Sequence, residues 1–527
     1  MSKLVVLQAG IAAFLCLLAY RQYSRRKVGA KLPPGPKPLP IIGNILDLPP
    51  SGAPEFEHWL KHKDVYGPLS SLSIMGQTLV IIHDREAARI LLEKMSVKTS
   101  SRPHMEFGHE LCGYKSQLPM QPYNETFRRR RRMLHQHIGT KVAAMQYYNT
   151  QEEESRRLLL RTLTAPKNLM QHVNSMMGAI ILKTTYGYSI EPEKPDPLIQ
   201  LIELMISNVA SAFVPMAWIV DAIPVMRYLP AGLPGMGFKE TARQWSKINQ
   251  KVNDVPFSFT RQQMHNGSHR PSFVSEAIQK SGDSAGSRDV EDDVRESAAT
   301  LYVAGAETTS STLSSFILAM VMFPAVQRKA QEEIDRVVGT DRLPQFEDRD
   351  NLPYVEGLVQ EAYRWHTVTP MGLPHVAEED LSYDGNYIPK GAYLLPAVWW
   401  FSHDPEVYAE PDIFDPERYR GPRNEPDPRS VAFGFGRRAC PGKYYADAAV
   451  YIAIAQILAT FTLAKTTDGD NREIEVKHEV TGSVASRPKD FAYSILPRSS
   501  KHADLISQIE IELPWEKSDA IYLQDYN

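Results

Sequence analysis

The sequence predicts a mainly α-helical domain with minor β structure, and three observations support this fold class. Apolar residues recur at helical spacing from about residue 56 to residue 329, whereas runs with strand character are short and few. Hydrophobic residues make up 43% of the chain and charged residues 23%, which is typical of a globular protein with a sizeable core. No internal repeat is evident. We therefore expect one large domain over residues 51–497.

The first apolar segment, residues 4–20, predicts a membrane anchor. It is just long enough for a tilted transmembrane helix, and a basic flank of three arginines and a lysine follows within residues 21–27. Such a flank predicts that the body of the protein faces the cytosol. A cleaved signal peptide is the alternative, but the basic residues lie on the wrong side of the apolar run and no small-residue cleavage site follows. We expect residues 1–27 to be the anchor with its flank.

Residues 28–50 read as a hinge, and residues 498–527 form a tail to which the sequence assigns no role. The hinge contains LPPGPKPLP at residues 32–40, which is too rich in proline for a helix or a central strand. Proline-rich segments of this kind form stiff, extended connectors. The hinge is therefore expected to hold the body at a fixed tilt on the bilayer.

A long helix is predicted from about residue 289 to residue 322, because no proline interrupts it and a Phe-Pro pair ends it. It would span roughly 50 Å. The preceding segment, residues 265–287, is polar and rich in glycine and serine, so we expect a surface loop there. Short strand-like runs complete the predicted elements, at residues 70–82, 383–396 and 473–497.

The middle of the long helix reads AGAETT at residues 304–309, which is unusual for a core helix. Gly305 costs about 1 kcal/mol there relative to alanine, and a buried Glu307 needs hydrogen bonds or neutralisation. By themselves, these residues also fit ordinary polar positions of a helix.

The net charge and the cysteines narrow the chemistry further. The chain has 59 basic and 62 acidic residues, so it has no overall positive field and no nucleic-acid partner is expected. Its three cysteines are too few and too scattered for a disulfide framework or a zinc cluster. Cys16 and Cys112 are interpreted as small apolar side chains. Cys440 has a different setting.

Cys440 lies in the sequence FGFGRRACPG, residues 433–442, ahead of an apolar helical run over residues 444–461. In a glycine-bracketed loop before a helix, backbone N–H groups can point at the sulfur and stabilise the thiolate. A thiolate of this kind can bind iron. Considered alone, however, Cys440 also fits a buried structural cysteine beside a basic pair.

The spacing of Phe433, Gly436, Arg438, Cys440 and Gly442 resembles the haem-binding loop of the cytochrome P450 family. The resemblance implies a P450 fold and haem b (iron protoporphyrin IX), with the axial thiolate of Cys440 as the metal ligand. In that family the thiolate pushes electron density onto the iron and favours O–O cleavage. It further implies that Arg438 binds a haem propionate, that Phe433 covers the proximal face and that Gly442 keeps the turn free of a Cβ.

Two further motifs are similar to those of the same family and occur in the family order. The sequences EAYR at 361–364 and PERY at 416–419 imply a buried structural network of Glu361, Arg364 and Arg418. The segment AGAETT is similar to the oxygen-activation motif. It implies that Thr308 and Glu307 deliver protons for cleavage of the O–O bond.

The resemblance also suggests two further haem contacts. A run of five arginines, residues 128–132, is usually a solvated face, but Arg131 matches a propionate-binding arginine of the family. Four residues earlier, Phe127 replaces the usual tryptophan and has no hydrogen-bond donor. His375 stands where many relatives have an arginine, although a lone histidine is often structural. The other arginines of the run are candidates to face a reductase.

By analogy, three segments line the substrate pocket: residues 105–120, 368–373 and 483–484. Their apolar character favours a lipophilic small-molecule substrate. The apolar region 209–237 is expected to contact membrane lipid. The overall pattern is similar to fungal enzymes of secondary metabolism, near the O-methylsterigmatocystin oxidoreductase-like group. The resemblance therefore implies a monooxygenase that oxidises a terpenoid, polyketide or alkaloid.

The electrons are expected to come from NADPH through another protein, because the chain has no nucleotide-binding fingerprint. The resemblance implies NADPH-cytochrome P450 reductase, with cytochrome b5 as a further partner. It also implies a single-pass protein of the endoplasmic reticulum membrane whose catalytic domain is cytosolic. Two alternatives stay open: a haem-thiolate isomerase or dehydratase that needs no external electrons, and a haem-free binding protein.

Overall fold

The computed structural model describes residues 31–50, 52–192, 194–214, 217–282, 288–470, 472–482 and 484–526. The predicted anchor with its basic flank lies outside these residues. Twelve α-helices of eight or more residues are present in the described part: α1 (Glu55–Tyr66), α2 (Glu125–Ile138), α3 (Tyr148–Thr164), α4 (Leu169–Tyr186), α5 (Pro197–Ala212), α6 (Phe238–His265), α7 (Phe273–Lys280), α8 (Arg288–Met322), α9 (Pro324–Val337), α10 (Pro353–Trp365), α11 (Lys443–Thr460) and α12 (Ser500–Glu512).

Short strands form three small sheets in the described residues. The strands are β1 (Leu69–Ile74), β2 (Gln77–Ile82), β3 (His375–Val376), β4 (Leu381–Tyr383), β5 (Asn386–Ile388), β6 (Tyr393–Pro396), β7 (Phe461–Ala464) and β8 (Ser494–Pro497). One sheet has the order β1-β2-β6-β3, with β2 parallel to β6 and the other pairs antiparallel. The two remaining sheets are the antiparallel pairs β4-β5 and β7-β8. The mainly helical prediction with minor sheet is confirmed.

The predicted long helix is α8, which packs against α4 and α11 through the centre of the domain. Its carboxyl-terminal half is buried on all sides, with Leu313, Phe316 and Ile317 fully inaccessible. A helix that is apolar all round is one surrounded by other elements. Pro324 then starts α9, where a first-turn proline loses no helical hydrogen bond.

In the described part of the chain, no single helix combines the length and the hydropathy needed to span a bilayer. The consecutive helices α8 and α9, which meet at 105°, satisfy that criterion only as a bent pair.

Two sequence predictions of secondary structure are wrong in part. Residues 265–287 are not one loop, because they contain α7, whose apolar side chains Phe273, Val274 and Ile278 are buried. A capping box stabilises its start, since the side chains of Ser272 and Ser275 each accept from the other's backbone N–H. Polar residues on both sides of this short helix give the whole segment the composition of a loop.

The third strand-like run is also shorter than predicted. Within residues 473–497, a regular strand forms only as β8, which pairs with β7 directly after α11. The remainder makes isolated bridges, among them one between Val480 and Pro488. Alternating apolar residues did not suffice here, because no neighbouring strand is available for a continuous ladder.

The tail forms a folded strap over the surface of α3 and α4. After α12, the indole of Trp515 lies 4.7 Å from the Arg161 guanidinium. Glu516 pairs with Lys183 of α4 at 2.5 Å. Asp519 accepts from the backbone N–H of Ser189 at 2.8 Å and pairs with Arg270 at 2.5 Å. We call residues 513–523 the C-terminal strap.

Candidate functional site

A cavity of about 290 Å³ lies between the cysteine loop, residues 433–442, and the middle of α8. The loop contributes Cys440 from one wall, and α8 contributes Thr308 from the opposite wall. The lining from α8 comprises Thr300, Leu301, Ala304, Gly305, Thr308, Thr309 and Thr312. The lining from the loop comprises Phe433, Gly434, Phe435, Arg438, Cys440, Pro441 and Gly442. The fold therefore brings two motifs that are far apart in sequence to one space.

Glycines shape the cysteine loop. Gly434 and Gly436 adopt φ values of +75° and +53°, which side chains rarely tolerate. A Cβ on Gly436 would also lie 2.4 Å from the carbonyl oxygen of Leu92. Gly442 differs, since its φ is −91° and a Cβ there would lie 3.9 Å from the Cys440 sulfur, an ordinary contact. The backbone requirement for glycine is therefore clearest at Gly434 and Gly436, and the role expected for Gly442 stays a prediction.

Cys440 faces the cavity from deep within the fold. Its backbone N–H donates to the carbonyl oxygen of Phe433 at 2.7 Å, which closes the loop. Burial raises the pKa of the Cys440 thiol, while the backbone N–H of Gly442 and the charge of Arg131 act in the opposite direction. The thiol is accessible only because the cavity reaches it. A cation bound at this sulfur would stabilise the thiolate.

Three arginines, Arg102, Arg131 and Arg438, also line the cavity. Burial lowers the pKa of each, and neighbouring guanidinium groups lower the pKa of Arg102 and Arg438 further. A guanidinium nevertheless stays protonated at physiological pH. None of the three is paired with a carboxylate among the described residues. The cavity therefore carries positive charge that an anionic ligand would balance.

Backbone carbonyls hold these guanidinium groups in place. Arg102 donates from Nη1 to the carbonyl oxygens of Leu373 and Pro374, at 2.8 Å each. Arg438 donates from Nε to Ser100 O at 2.5 Å, and Arg131 donates to the carbonyl oxygen of Ala439. Carbonyl oxygens fix the position of a guanidinium but leave its net charge uncompensated.

Phe127 and His375 complete this edge of the cavity. The Phe127 ring lies 3.8 Å from the Arg438 guanidinium, so the phenylalanine packs against the cation. His375 is buried, and its Nδ1 donates to Thr99 O at 2.8 Å, because a carbonyl oxygen only accepts. Burial and the charges of Arg102 and Arg438 hold the pKa of His375 well below its usual value. This imidazole is therefore neutral near pH 7.

Thr308 and Glu307 occupy different environments. The Thr308 hydroxyl faces the cavity and donates to Ala304 O at 2.9 Å. Glu307 is not among the residues that line the cavity, and its charge, after burial, raises the pKa of Glu203 on α5. Gly305 allows close packing of α4, since a Cβ there would lie 2.8 Å from Ile181 Cδ1. Only the hydroxyl of the predicted pair is thus in direct contact with the cavity.

The predicted structural network is present beneath the cysteine loop. Glu361 accepts from Arg364 Nε at 2.8 Å, from Arg418 Nε at 3.1 Å and from the Tyr419 hydroxyl at 2.7 Å. Glu361 and Arg364 are 0% exposed, and Arg418 is 1% exposed. The network lines no part of the cavity, so its contribution is to the packing of α10.

A second, mainly apolar space of about 110 Å³ adjoins the first. We call it the outer chamber. Four residues line both spaces: Arg102, Pro119, Gly372 and Leu373. Of the segments expected to line the pocket, Val368 and Thr369 face the first cavity, whereas Met105, Met120 and Val484 face the outer chamber. Ser483 lies outside the described residues.

Residues 105–111, which contribute Met105 and His109 to the outer chamber, are joined to the segment that follows α5, and we call these contacts the latch. Arg227 forms an ion pair with Glu106. The backbone N–H of Phe107 donates to Asp221 Oδ1 at 2.8 Å, and the Phe107 ring stacks on Trp218 with centroids 3.7 Å apart. Residues 105–111 are thereby fixed to the segment that follows α5.

Several remaining predictions concern residues away from the cavity. Cys112 is buried and its pKa is raised to about 12 by burial, so its thiol is unreactive, whereas Cys16 lies outside the described residues. Within the arginine run, Arg130 pairs with Asp293 in the interior. In the region 209–237, several apolar side chains are exposed: Ile219, Ile223, Val225, Tyr228, Leu229 and Leu233.

Arg102 was not predicted from the sequence. It lies in a segment that matches none of the motifs, and nothing in its neighbours distinguishes it from a surface arginine. Its relation to Arg438 exists only in the fold, because 336 positions separate the two residues (438 − 102). The one local signal is the following Pro103, which favours an extended backbone at Arg102.

Comparisons with known proteins agree with this geometry. The family model described as "Cytochrome P450" matches residues 33–494. "Cytochrome P450 monooxygenase CLM2" of Gibberella zeae is 50% identical over 498 residues, which cover 94% of this chain and 94% of the relative. "Multifunctional cytochrome P450 monooxygenase af510" of Aspergillus fumigatus is 46% identical over 530 residues, 99% of this chain and 98% of the relative. An "O-methylsterigmatocystin oxidoreductase" of Aspergillus flavus is 37% identical over 492 residues, 93% and 92% respectively.

Proposed function

The chain belongs to the cytochrome P450 family and is a P450 monooxygenase, and we propose that it oxidises a lipophilic small molecule with electrons delivered from NADPH by a reductase. The observation that carries this proposal is the cavity itself. It contains one cysteine thiol on one wall and three guanidinium groups that have no carboxylate partner in the described chain.

The residues present fit haem b. Cys440 offers a sulfur ligand for iron, and Arg102, Arg131 and Arg438 offer donors for two propionates. When bound, haem supplies the iron at which dioxygen is bound and reduced. His375 is neutral near pH 7 and its Nδ1–H donates to Thr99 O, so its Nε2 can only accept a hydrogen bond and offers no donor to an ionised propionate.

The chain's own residues would position the substrate and move protons. The Thr308 hydroxyl, released from Ala304 O, would donate into the cavity from α8. Glu307 would pass protons to Thr308 and would not itself contact the cavity, since it lies away from the cavity lining and close to Glu203. The apolar lining from Leu301, Val368 and Leu373 would exclude water and bind a lipophilic substrate.

The electron donor would bind on the side of the cysteine loop. Arg437 of the loop and Arg128 of α2 are exposed, and their guanidinium groups lie 5.5 Å and 5.7 Å from the ring of Tyr123. Clustered cations of this kind steer association with an acidic partner. The partners proposed are NADPH-cytochrome P450 reductase and, in addition, cytochrome b5. Replacement of Arg437 by glutamate should slow NADPH-driven reduction and weaken its dependence on salt.

The proposed location is the endoplasmic reticulum membrane, with residues 4–20 as a single span and the catalytic domain in the cytosol. The exposed apolar side chains Ile223, Val225 and Leu233 support contact with lipid beside that span. A protein lacking residues 4–20 should still bind vesicles of neutral phospholipid through this surface. Complete solubility of the truncated protein would contradict the lipid contact.

The substrate class is proposed from the relatives, which are fungal monooxygenases. One is named for the oxidation of O-methylsterigmatocystin. A terpenoid, polyketide or alkaloid of secondary metabolism would suit the apolar lining. Incubation of the reductase-supplied enzyme with such metabolites, followed by mass spectrometry, tests the assignment, and a mass increase of one oxygen atom is the expected result.

The decisive experiment is the absorption spectrum of the reduced protein under carbon monoxide. A thiolate ligand shifts the Soret band far to the red, and we expect this shift in the wild type and in a Cys112→Ser control. Cys440→His should abolish the shifted band. A red-shifted band that persists in Cys440→His would exclude Cys440 as the ligand.

Dependence of turnover on NADPH and reductase distinguishes a monooxygenase from a haem-thiolate isomerase or dehydratase. An isomerase would convert its peroxide without either component. The hydroxyl of Thr308 in the cavity favours the monooxygenase, because a rearrangement of a peroxide needs no relay of external protons.

A further inference from the structure

A tyrosine in the wall of the reaction cavity is in contact with a second tyrosine that lies nearer the surface. Tyr445, on α11 just after the cysteine loop, lines the cavity. The centroid of its ring lies 5.5 Å from that of Tyr147, with the ring planes at 76°. Tyr147 directly precedes α3 and is 8% exposed, so its edge reaches the solvent. Two phenol rings in contact therefore connect the cavity with the surface.

The second tyrosine is paired with a base. The Tyr147 hydroxyl forms a hydrogen bond with Nε2 of His137, which lies in the last turn of α2. Burial lowers the pKa of His137 to about 4, so the imidazole is neutral near pH 7 and accepts this hydrogen bond. Burial, together with the neighbouring Tyr445 and Glu276, raises the pKa of Tyr147, so the phenol keeps its proton. A neutral imidazole held against a phenol can receive the phenolic proton.

The tyrosines that line the cavity have no comparable base. The Tyr445 hydroxyl donates to Thr184 Oγ1 at 2.8 Å, because the Thr184 hydroxyl itself donates to Ile180 O at 2.8 Å. Tyr363, also in the lining, is buried, and its hydroxyl has no partner among the described residues. No tryptophan of the described chain lines the cavity. Of these three tyrosines, only Tyr147 therefore has a basic partner.

The release of a proton decides where an oxidised tyrosine is stable. A phenol is ordinarily a weak acid, but loss of one electron makes it a strong acid, so its proton needs an acceptor. At Tyr147, the electron would leave through the ring contact with Tyr445, while the proton moves from Oη to His137 Nε2. The products are a neutral tyrosyl radical and an imidazolium. Return of one electron and of this proton restores both groups.

We propose that Tyr445 and Tyr147 form a protective electron-transfer route to haem that has been oxidised in the absence of substrate. Tyr147 supplies one electron through Tyr445, and His137 takes its proton. The inference rests on the proposed function, since haem at Cys440 is the electron acceptor and its oxidation level falls by one electron. A soluble one-electron donor such as ascorbate then reduces the Tyr147 radical. The plain alternative is that both rings only pack the core beside α11.

Electron paramagnetic resonance tests the proposal on the full chain loaded with haem and free of substrate. The protein is mixed with m-chloroperbenzoic acid, a peracid that oxidises haem without a reductase, and is then frozen. Protein made with ring-deuterated tyrosine identifies the signal, because deuteration narrows the hyperfine pattern of a tyrosyl radical. We expect a tyrosyl signal in the wild type, and its absence would overturn the proposal.

Three variants locate the radical. Tyr147→Phe keeps the ring but removes the oxidisable hydroxyl, so the signal should fall severalfold. His137→Gln keeps a hydrogen-bond acceptor but no base, and the signal should fall as well. Tyr148→Phe is the matched control, since the Tyr148 ring stacks on Phe346 with centroids 3.7 Å apart, and it should leave the signal unchanged. A signal that persists in Tyr147→Phe or His137→Gln, or that Tyr148→Phe lowers equally, would overturn the proposal.

A second measurement follows the haem itself. Successive additions of peracid in the presence of ascorbate bleach the Soret band, and we expect Tyr147→Phe to lose this band severalfold faster than the wild type. Equal bleaching would overturn the protective role. The carbon monoxide spectrum is recorded on the same samples. A red-shifted band without a tyrosyl signal refutes the route alone, and a tyrosyl signal without that band refutes the proposed function alone.

Discussion

Arg102 shows how a single side chain can matter at a site without belonging to a motif. Three backbone carbonyls position its guanidinium, and two of them belong to the segment just before β3. Its charge adds to those of Arg131 and Arg438, so the three arginines repel one another when no anion is present. Haem propionates would turn this repulsion into attraction.

Replacement of Arg102 by leucine should therefore weaken retention of haem. Loss of one charge-assisted hydrogen bond costs about 1.5–3 kcal/mol, which corresponds to a tenfold or greater rise in the rate of haem loss. Transfer of haem to an excess of apomyoglobin measures this rate. Arg128→Leu, at an exposed position of α2, is the matched control. An unchanged rate of haem loss in Arg102→Leu would show that Arg102 bonds only to backbone carbonyls and does not help to retain haem.

The site residues that were predicted from the sequence were recognised by their spacing within short motifs. Phe433, Arg438 and Cys440 lie within eight positions, so one loop carries the whole signal. Thr308 was found in the same way within α8. Arg102 could not be identified in this way, because its position at the cavity depends on which residues the fold brings next to it.

The C-terminal strap is the element for which the sequence offered no interpretation. Its charged residues contact α4, the turn after α4 and the segment before α7, three places that only the fold brings together. Asp519 is 6% exposed and satisfies both a backbone N–H and the guanidinium of Arg270. Removal of such a carboxylate leaves the Ser189 N–H without an acceptor, whereas Arg270 keeps its hydrogen bond to Gly187 O.

Asp519→Ala should lower the free energy of unfolding by about 1–3 kcal/mol, because the hydrogen bond to the Ser189 N–H and an ion pair with the partly exposed Arg270 are lost together. Asp504→Ala, on the exposed face of α12, should change it by less than about 0.5 kcal/mol. Urea unfolding followed by circular dichroism gives both values. Equal effects of the two substitutions would mean that the strap does not contribute to stability through Asp519.

Elements whose apolar residues recur at a regular helical spacing were predicted well. Elements that form only through contact with neighbouring elements were not. The boundaries of α8 follow from an uninterrupted helical pattern and a terminal proline. The helix α7 and the short β8 lacked such signals. Their existence depends on burial against the main core and on pairing with β7, respectively.

At the scale of the whole molecule, the latch joins residues 105–111 to the segment after α5. Met105 and His109 of the first segment line the outer chamber, so we expect release of the latch to ease entry of ligands into this space. The Arg227 side chain is 33% exposed, so its ion pair with Glu106 is the part of the latch most open to solvent.

Arg227→Ala should increase the rate at which a probe such as 1-dodecanol associates. An ion pair worth about 1 kcal/mol predicts an increase of about fivefold. Stopped-flow measurement of the spin-state change of the haem gives the rate. Arg243→Ala, which removes an exposed pair with Glu240, should leave it unchanged. A rate that does not rise in Arg227→Ala would place the entrance elsewhere.

Arg102, Arg131 and Arg438, the cavity arginines that have no carboxylate partner among the described residues, have a consequence for biosynthesis. Three like charges converge from segments near residues 102, 131 and 438. Their mutual repulsion opposes folding of this region in the newly made chain until a dianion binds. Mass action then ties the amount of folded protein to the supply of porphyrin in the cell. When porphyrin is scarce, more of the polypeptide would stay in an open form that proteases cleave. The amount of this enzyme would then follow the amount of porphyrin in the cell without any dedicated regulator.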